Sequence, residues 1–182
     1  MNDTKERILK TGLKHFLDTG YDGTSIQTIT KEVGISKSTF FHHFKTKDEL
    51  FNEIFLMCKN LYSKHLKVDD MFSDDSYHLI KEMYIFSKEY KDELIFMTSF
   101  ENSQHISDES RKKGVTMNQT FNDFIIEGQK NGKIVELPPI YLCIFMANAV
   151  IHSLDYVFIN DKFQEEEFHK FLNFITEAIK KH

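Results

Sequence analysis

A dense set of polar side chains, Lys37, Ser38, Thr39, His42 and His43, follows the tripeptide Gly34-Ile35-Ser36. Ammonium, hydroxyl and imidazole groups at this spacing can hydrogen-bond to phosphates and to base edges, so the chemistry on offer is recognition. Metal chemistry fits less well. His42 and His43 are adjacent, so on a helix they project about 100° apart and do not converge on one ion. No Cys or carboxylate stands at ligand spacing beside them, and neither a metal nor another cofactor is expected. A glycine-rich phosphate loop, a paired-cysteine motif and a local nucleophile signature are all missing, and His152 with Asp155 reads as a structural pair on an apolar helix. Enzyme chemistry is therefore not the expectation.

Short helices must position the polar set. Ile8, Leu9, Leu13, Phe16 and Leu17 recur at helical spacing and predict a first helix over about 4–19. Asp3 with Glu6 can cap its start, and Gly20 can end it in a left-handed turn. Tyr21-Asp22-Gly23 is a turn. Thr24-Ser25-Ile26-Gln27 reads as a capping box, with Thr24 accepting and Gln27 reaching back, ahead of a short helix that turns Ile26, Ile29 and Val33 inward. Gly34 interrupts that helix, because glycine enters the left-handed region freely. Ser36 then caps a third helix over 37–44. Two short helices about a glycine turn make a helix-turn-helix, whose second helix can enter a major groove. Phe40 and Phe44 belong in the core, at least one of His42 and His43 is exposed, and Phe41 is either core or an apolar contact to a sugar or a thymine methyl.

Thr46-Lys47-Asp48-Glu49 is a second capping box and starts a fourth helix over about 47–66, with Leu50, Ile54, Met57, Cys58, Leu61 and Tyr62 on its apolar side. Val68–Ser76 is acidic and weakly patterned, a loop. Further helices are predicted over about 76–89, 92–105, 108–131, 138–159 and 164–181, with Pro138-Pro139 in a first turn where a missing N–H costs little. The expected fold is all-α, about nine helices: a three-helix head over 1–46 and a helical second domain over 47–182.

Composition narrows the classes further. The 182 residues are 41% hydrophobic and 28% charged, which excludes wholesale disorder. Seven Gly and two Pro are too few for a many-stranded sandwich or barrel. Net charge is −5, but it is uneven: residues 1–50 carry 8 Lys/Arg against 7 Asp/Glu, and the remainder is net acidic. Bulk attraction to nucleic acid or to a membrane is not indicated, though the balance leaves room for a local basic surface. Cys58 and Cys143 are far apart in apolar surroundings and read as buried thiols of a reducing cytoplasm. The polar N-terminus shows no signal peptide, and the apolar run 140–151 is too short to span a bilayer.

From about Arg7 to Leu50 the chain resembles the DNA-binding domain of the tetracycline-repressor (TetR/AcrR) family of bacterial transcription regulators. The resemblance rests on Ile8-Leu9, Phe16, Gly20-Tyr21, Thr24-Ser25, Ile29, Val33-Gly34-Ile35-Ser36-Lys37, Thr39-Phe40-Phe41-His42-His43-Phe44 and Lys45-Thr46-Lys47-Asp48-Glu49-Leu50. It implies DNA contacts from Ser36, Lys37, Ser38, Thr39, Phe41, His42 and His43 on the reading helix. It implies phosphate or outer-base contacts from Ser25 and Gln27, and a backbone contact from Lys47. The chain departs from the family pattern in places. Phe41 stands where Tyr is usual and lacks its hydroxyl, His43 stands where Tyr is common, and Thr30 and Gly12 stand where Ala is usual.

The resemblance also implies a C-terminal domain that binds a small ligand and forms a homodimer. Residues 140–159 are apolar on nearly every side, so the helix must be covered on both, by its own core and a partner or, alternatively, by the larger core of a monomer. Ala147, Val150, Ile151, Leu154 and Phe158, with Phe168, Phe171, Leu172, Ile175 and Ile179 of the last helix, are the expected four-helix interface. Two reading helices related by a twofold axis would read a palindromic operator. An apolar or aromatic ligand is expected among Tyr62, Phe86, Tyr90, Phe96, Phe100, Met117, Phe121 and Phe124, with Asn148, His152 and Tyr156 as polar anchors. The reading is a cytoplasmic, ligand-released repressor. The alternatives are an activator of the same family and a helical ligand-binding or interaction module without DNA binding.

Overall fold

The computed structural model describes residues 3–65, 85–117, 119–160 and 165–181. The predicted loop over 68–76 and the first part of the predicted helix over 76–89 lie outside these. Nine helices run through the described residues: α1 (Asp3–Gly23), α2 (Ile26–Val33), α3 (Lys37–His43), α4 (Lys47–His65), α5 (Lys91–Phe100), α6 (Asp108–Met117), α7 (Gln119–Lys130), α8 (Pro139–Asn160) and α9 (Glu165–Ile179). Residues 85–89 are helical as well. The chain is all-α, as its periodicity predicts, with a lone antiparallel bridge between Ile134 and Lys180.

Two compact units form: 1–62 with 90–117, and 63–89 with 118–182. This division differs from the 1–46 and 47–182 halves expected from the sequence. Packing draws the first part of α4, with α5 and α6, into the unit that holds the head.

In the first unit α1 is the central support. Its face of Ile8, Leu9, Leu13 and Phe16 is buried, together with Ile29 and Val33 of α2, Phe40 of α3 and Phe44 beyond it. Leu50, Phe51, Ile54 and Phe55 of α4 and Leu94, Phe96 and Met97 of α5 complete the core. Phe16 meets Phe51 edge to face at 4.8 Å, and Phe51 packs on Phe96 at 5.1 Å. Gly12 lets α1 and α4 approach, since a Cβ there would lie 3.0 Å from Ile54 Cδ1 and 3.1 Å from Leu50 Cδ2. The sequence pattern missed Phe51 as core. It also missed Lys59, a buried lysine whose ammonium pairs with Glu101 at 2.6 Å.

Several local predictions are corrected. Gly20 takes a positive φ of 71°, but its ψ of 178° bends the chain rather than closing a left-handed turn. The cap of α2 is Ser25, not Thr24. Thr24 is buried, and its hydroxyl donates to the Gly20 carbonyl at 2.8 Å, so it is unavailable to the helix. Glu49 reaches back to the N–H of Lys45 at 2.6 Å, one residue earlier than a capping box requires. α5 stops at Phe100, because a turn closes with the Ser103 N–H on the Phe100 carbonyl at 2.9 Å. The run 108–131 is described as α6 and α7, with residue 118 outside the described residues. Cys58 is buried and its thiol is pushed up by that burial, whereas Cys143 is only half-buried.

In the second unit Ile125, Leu142, Met146, Phe168, Ile175 and Ile179 are buried. The segment after α7 is tied down by backbone bonds. Val135 N–H donates to the Ile179 carbonyl at 2.9 Å and Lys181 N–H to the Lys133 carbonyl at 3.0 Å. The Gln129 amide donates to the Val135 and Leu137 carbonyls at 2.8 and 2.6 Å, which holds the entry to α8.

Candidate nucleic-acid interface

The geometry of α2 and α3 follows from their caps. Ser25 is extended and accepts from the Thr28 N–H at 3.1 Å, while the Thr28 hydroxyl accepts from the Ser25 N–H at 3.2 Å. Gly34 is left-handed at φ 75° and ψ 38°, and the N–H groups of Gly34 and Ile35 both return to the Thr30 carbonyl at 3.0 Å. Ser36 accepts from the Thr39 N–H at 3.0 Å and starts α3. The turn between the helices is therefore closed by backbone bonds at both ends. Arg7 donates to the Val33 carbonyl, and His15 pairs with Glu32 at 2.8 Å, so α1 holds the C-terminal end of α2.

Phe40 and Phe44 are fully buried and fix the rotation of α3. Ser38, Phe41 and His42 then fall within an arc of about 100° on the opposite side, all exposed. Lys37 and Ser36 are exposed beside them, as are Ser25 and Gln27 on α2. Thr39 and His43 are half-buried, and the Thr39 hydroxyl shares a 2.9 Å hydrogen bond with that of Ser36. Phe41 is 48% exposed, which decides between its two sequence readings: it is not core. His42 is the exposed member of the histidine pair.

Lys47 occupies a built position. Its ammonium donates to the Tyr21 carbonyl at 2.8 Å and to the Thr24 carbonyl at 2.9 Å. It also lies 4.0 Å from the centre of the Tyr21 ring. His105, from the loop after α5, stacks on that ring at 3.5 Å and fills one face, leaving the other to the ammonium. The Tyr21 hydroxyl donates to the Asp48 carboxylate, and burial followed by this acceptor pushes the phenol above its ordinary value. Asn52 finishes the junction, donating to the His105 carbonyl at 2.8 Å and accepting from the Ser107 N–H at 2.8 Å. Sequence reasoning found Lys47 but missed His105 and Asn52. Their partners lie more than 50 residues apart, and no local pattern marks such a pair.

The expected ligand residues do not gather around one cavity among the described side chains. Phe96 and Phe100 pack against Phe51 in the core of the first unit. Tyr62 is buried in that unit, and burial pushes its phenol up, whereas Phe86 is buried in the other unit. Tyr90 is half-buried. Asn148 is a correction: it is exposed on α8 and its amide donates to the Ile144 carbonyl one turn back, at 2.9 Å. The side chains of Met117, Phe121, Phe124, His152 and Tyr156 lie outside the described ones. An open cleft on α7 is lined by Asp123, Ile126, Glu127, Lys130 and Asn131, none of them in the expected set.

The expected dimer residues divide by burial within the single chain. Phe168, Ile175 and Ile179 are buried by their own chain and are not offered to a partner, while Phe171 is half-buried. The side chains of Ala147, Val150, Ile151, Leu154, Phe158 and Leu172 lie outside the described ones. Among the described residues of the second unit, the exposed large apolar side chains are Leu137, Ile140, Tyr141, Ile144 and Phe145, at and before the start of α8, and Phe174 of α9. A stripe apolar on both sides does not reveal which side its own core consumes.

A capped helix-turn-helix on an α1 support, with a chain that is helical beyond it, has the form used by DNA-binding regulators. Comparison with known proteins gives the family. Bacterial regulatory proteins of the tetR family match residues 8–54, and the tetracyclin repressor-like C-terminal domain matches residues 51–180. The chain belongs to the tetR family. An HTH-type transcriptional regulator of Bacillus subtilis, YerO, is 50% identical over 50 residues, a stretch that covers 28% of this chain and 17% of that protein. The negative transcriptional regulator IcaR of the Staphylococcus epidermidis biofilm operon icaADBC is 24% identical over 68% of each chain. AcrR of Shigella flexneri is 30% identical over 46% of this chain and 39% of its own length. The fold matches a TetR family transcription regulator from Marinobacter aquaeolei VT8 with a TM-score of 0.85 at 16% identity, covering 98% of this chain and 96% of the other. A structure from Shewanella sp. PV-4 matches with a TM-score of 0.86 at 20% identity over the whole of both chains. At these identities the likeness is one of fold. No helix among the described residues is long and apolar enough to cross a membrane.

Proposed function

We propose that the chain is a homodimeric transcription regulator that reads a palindromic operator through α3 and is released from it by a small apolar or aromatic ligand. The observation that carries this reading is the outward arc of Ser38, Phe41 and His42, held on a helix whose opposite side is locked by Phe40 and Phe44. Lys37, Ser36, Ser25 and Gln27 stand beside it to hold phosphate, with residues 1–46 as the reading head. Repression is the favoured direction, since the relative IcaR is a negative regulator by name. A second copy would cover the exposed face of Ile140, Tyr141, Ile144 and Phe145, which places two heads on one duplex.

The test is a titration against duplex DNA from the region upstream of the protein's own gene, at several salt concentrations, beside a scrambled duplex. Strong preference for the upstream region with a steep salt dependence is expected, because each phosphate contact releases counterions. Equal, salt-insensitive binding to both duplexes, and to a pool of random sequence, would overturn the reading.

A further inference from the structure

We infer that Phe41 is a specificity residue that reads the 5-methyl group of a thymine. The inference deepens the operator-binding reading and rests on it. Phe41 is 48% exposed on the same arc as Ser38 and His42. Its ring stands perpendicular to that of Phe40, with centres 5.5 Å apart. Phe40 is fully buried, so the exposed ring is braced against the core rather than free to fold back onto it.

An exposed phenyl group gains by meeting apolar surface and offers nothing to a phosphate oxygen. On the floor of the major groove the apolar feature of the bases is the thymine methyl; the other groups are donors and acceptors. Ser38 and His42 carry the polar half of the arc and Phe41 the apolar half. Such a face matches a donor or acceptor edge next to a thymine, and it disfavours cytosine at the thymine position, which has only a hydrogen where the methyl would meet the ring.

The experiment replaces each thymine of the selected operator in turn by deoxyuridine, which removes the methyl and leaves pairing intact, and measures affinity of the full-length protein. At one thymine per half-site the loss is expected to be about fourfold, the weight of one buried methyl, and roughly fifteenfold when both half-sites are changed. Phe41→Ala should abolish this sensitivity, Phe41→Tyr should retain it, and His42→Ala should leave it in place. Thermal unfolding of each variant checks that the head is intact. Uniform loss of affinity in Phe41→Ala with no methyl-sensitive thymine in the wild type would mean a sugar contact and overturn the inference. So would methyl sensitivity that survives in Phe41→Ala. Failure of the wild type to prefer any duplex would instead sink the operator-binding reading itself, and this inference with it.

Discussion

α3 and α8 each leave a face to solvent, and the two faces differ in kind. The face of α3 is polar with one aromatic ring, carried by Ser38, Phe41 and His42. The face of α8 is apolar over two turns, with Ile140, Tyr141, Ile144 and Phe145 exposed and Asn148 at its end. A polar face stays hydrated until a partner replaces its hydrogen bonds, so it suits a contact that is made and released. An apolar face of that extent on a regulator gains steadily from being covered, and suits a lasting partner. The proposed reading and assembly faces thus have opposite surface chemistry, and each half can be broken separately.

The largest effect is expected on the α8 side. Ile144→Glu combined with Phe145→Glu should convert the dimer to monomer in analytical ultracentrifugation. Operator affinity should fall by roughly a hundredfold or more, since linked half-sites lose their avidity. A dimer that survives both charges would move the interface elsewhere.

On the head the two lysines should separate. Lys37→Ala should lower the salt slope of operator binding by about one, leaving unfolding unchanged. Lys47→Ala should flatten the slope as well, and it should also cost about 1–3 kcal/mol of stability, because the Tyr21 and Thr24 carbonyls lose their donor. Denaturant unfolding beside the salt titration distinguishes a lysine that only binds from one that also builds.

The cap of α2 sharpens the comparison at a smaller scale. Ser25→Ala should cost about 1 kcal/mol in unfolding, as an exposed N-cap does. Ser25→Asn should restore the cap without adding charge, and restored stability without restored operator binding would give the Ser25 hydroxyl a phosphate contact of its own.

The smallest effect is in alkali. The Tyr21 phenol is raised above its ordinary value of 10.0 by burial and by the Asp48 carboxylate. The folded state therefore keeps its proton where the unfolded state loses it, and this stabilising contribution is present below pH 10 and fades as pH rises above it. Tyr21→Phe should show a shallower loss of unfolding midpoint above pH 10 than the wild type. Equal slopes would mean that the phenol titrates as it does in water.

How much was legible depends on the range of the interaction. The helix-turn-helix could be read because its signals are local. Gly34 supplies a left-handed residue, Ser36 lies three residues from the N–H it accepts, and Phe40 and Phe44 sit one turn apart. The same locality made the α2 cap ambiguous. Thr24 and Ser25 are both good caps by type, and the choice fell to Ser25 because the Thr24 hydroxyl is taken by the Gly20 carbonyl. The junction of Tyr21, Lys47, Asn52 and His105 was not legible, because its members come from three separate stretches of chain.

By itself the sequence determined the helical class, the reading helix and the type of residue on its surface. These follow from propensity, capping and a 3.6-residue period, which act within a turn or two of chain. Tertiary packing decided whether Phe41 is core or surface. It also decided that Phe168, Ile175 and Ile179 of α9 serve their own core, and that Ile140, Tyr141, Ile144 and Phe145 are exposed. Hydrophobic burial has no direction along the chain. A helix apolar on several sides states that it will be covered, and only the packed neighbours settle by what.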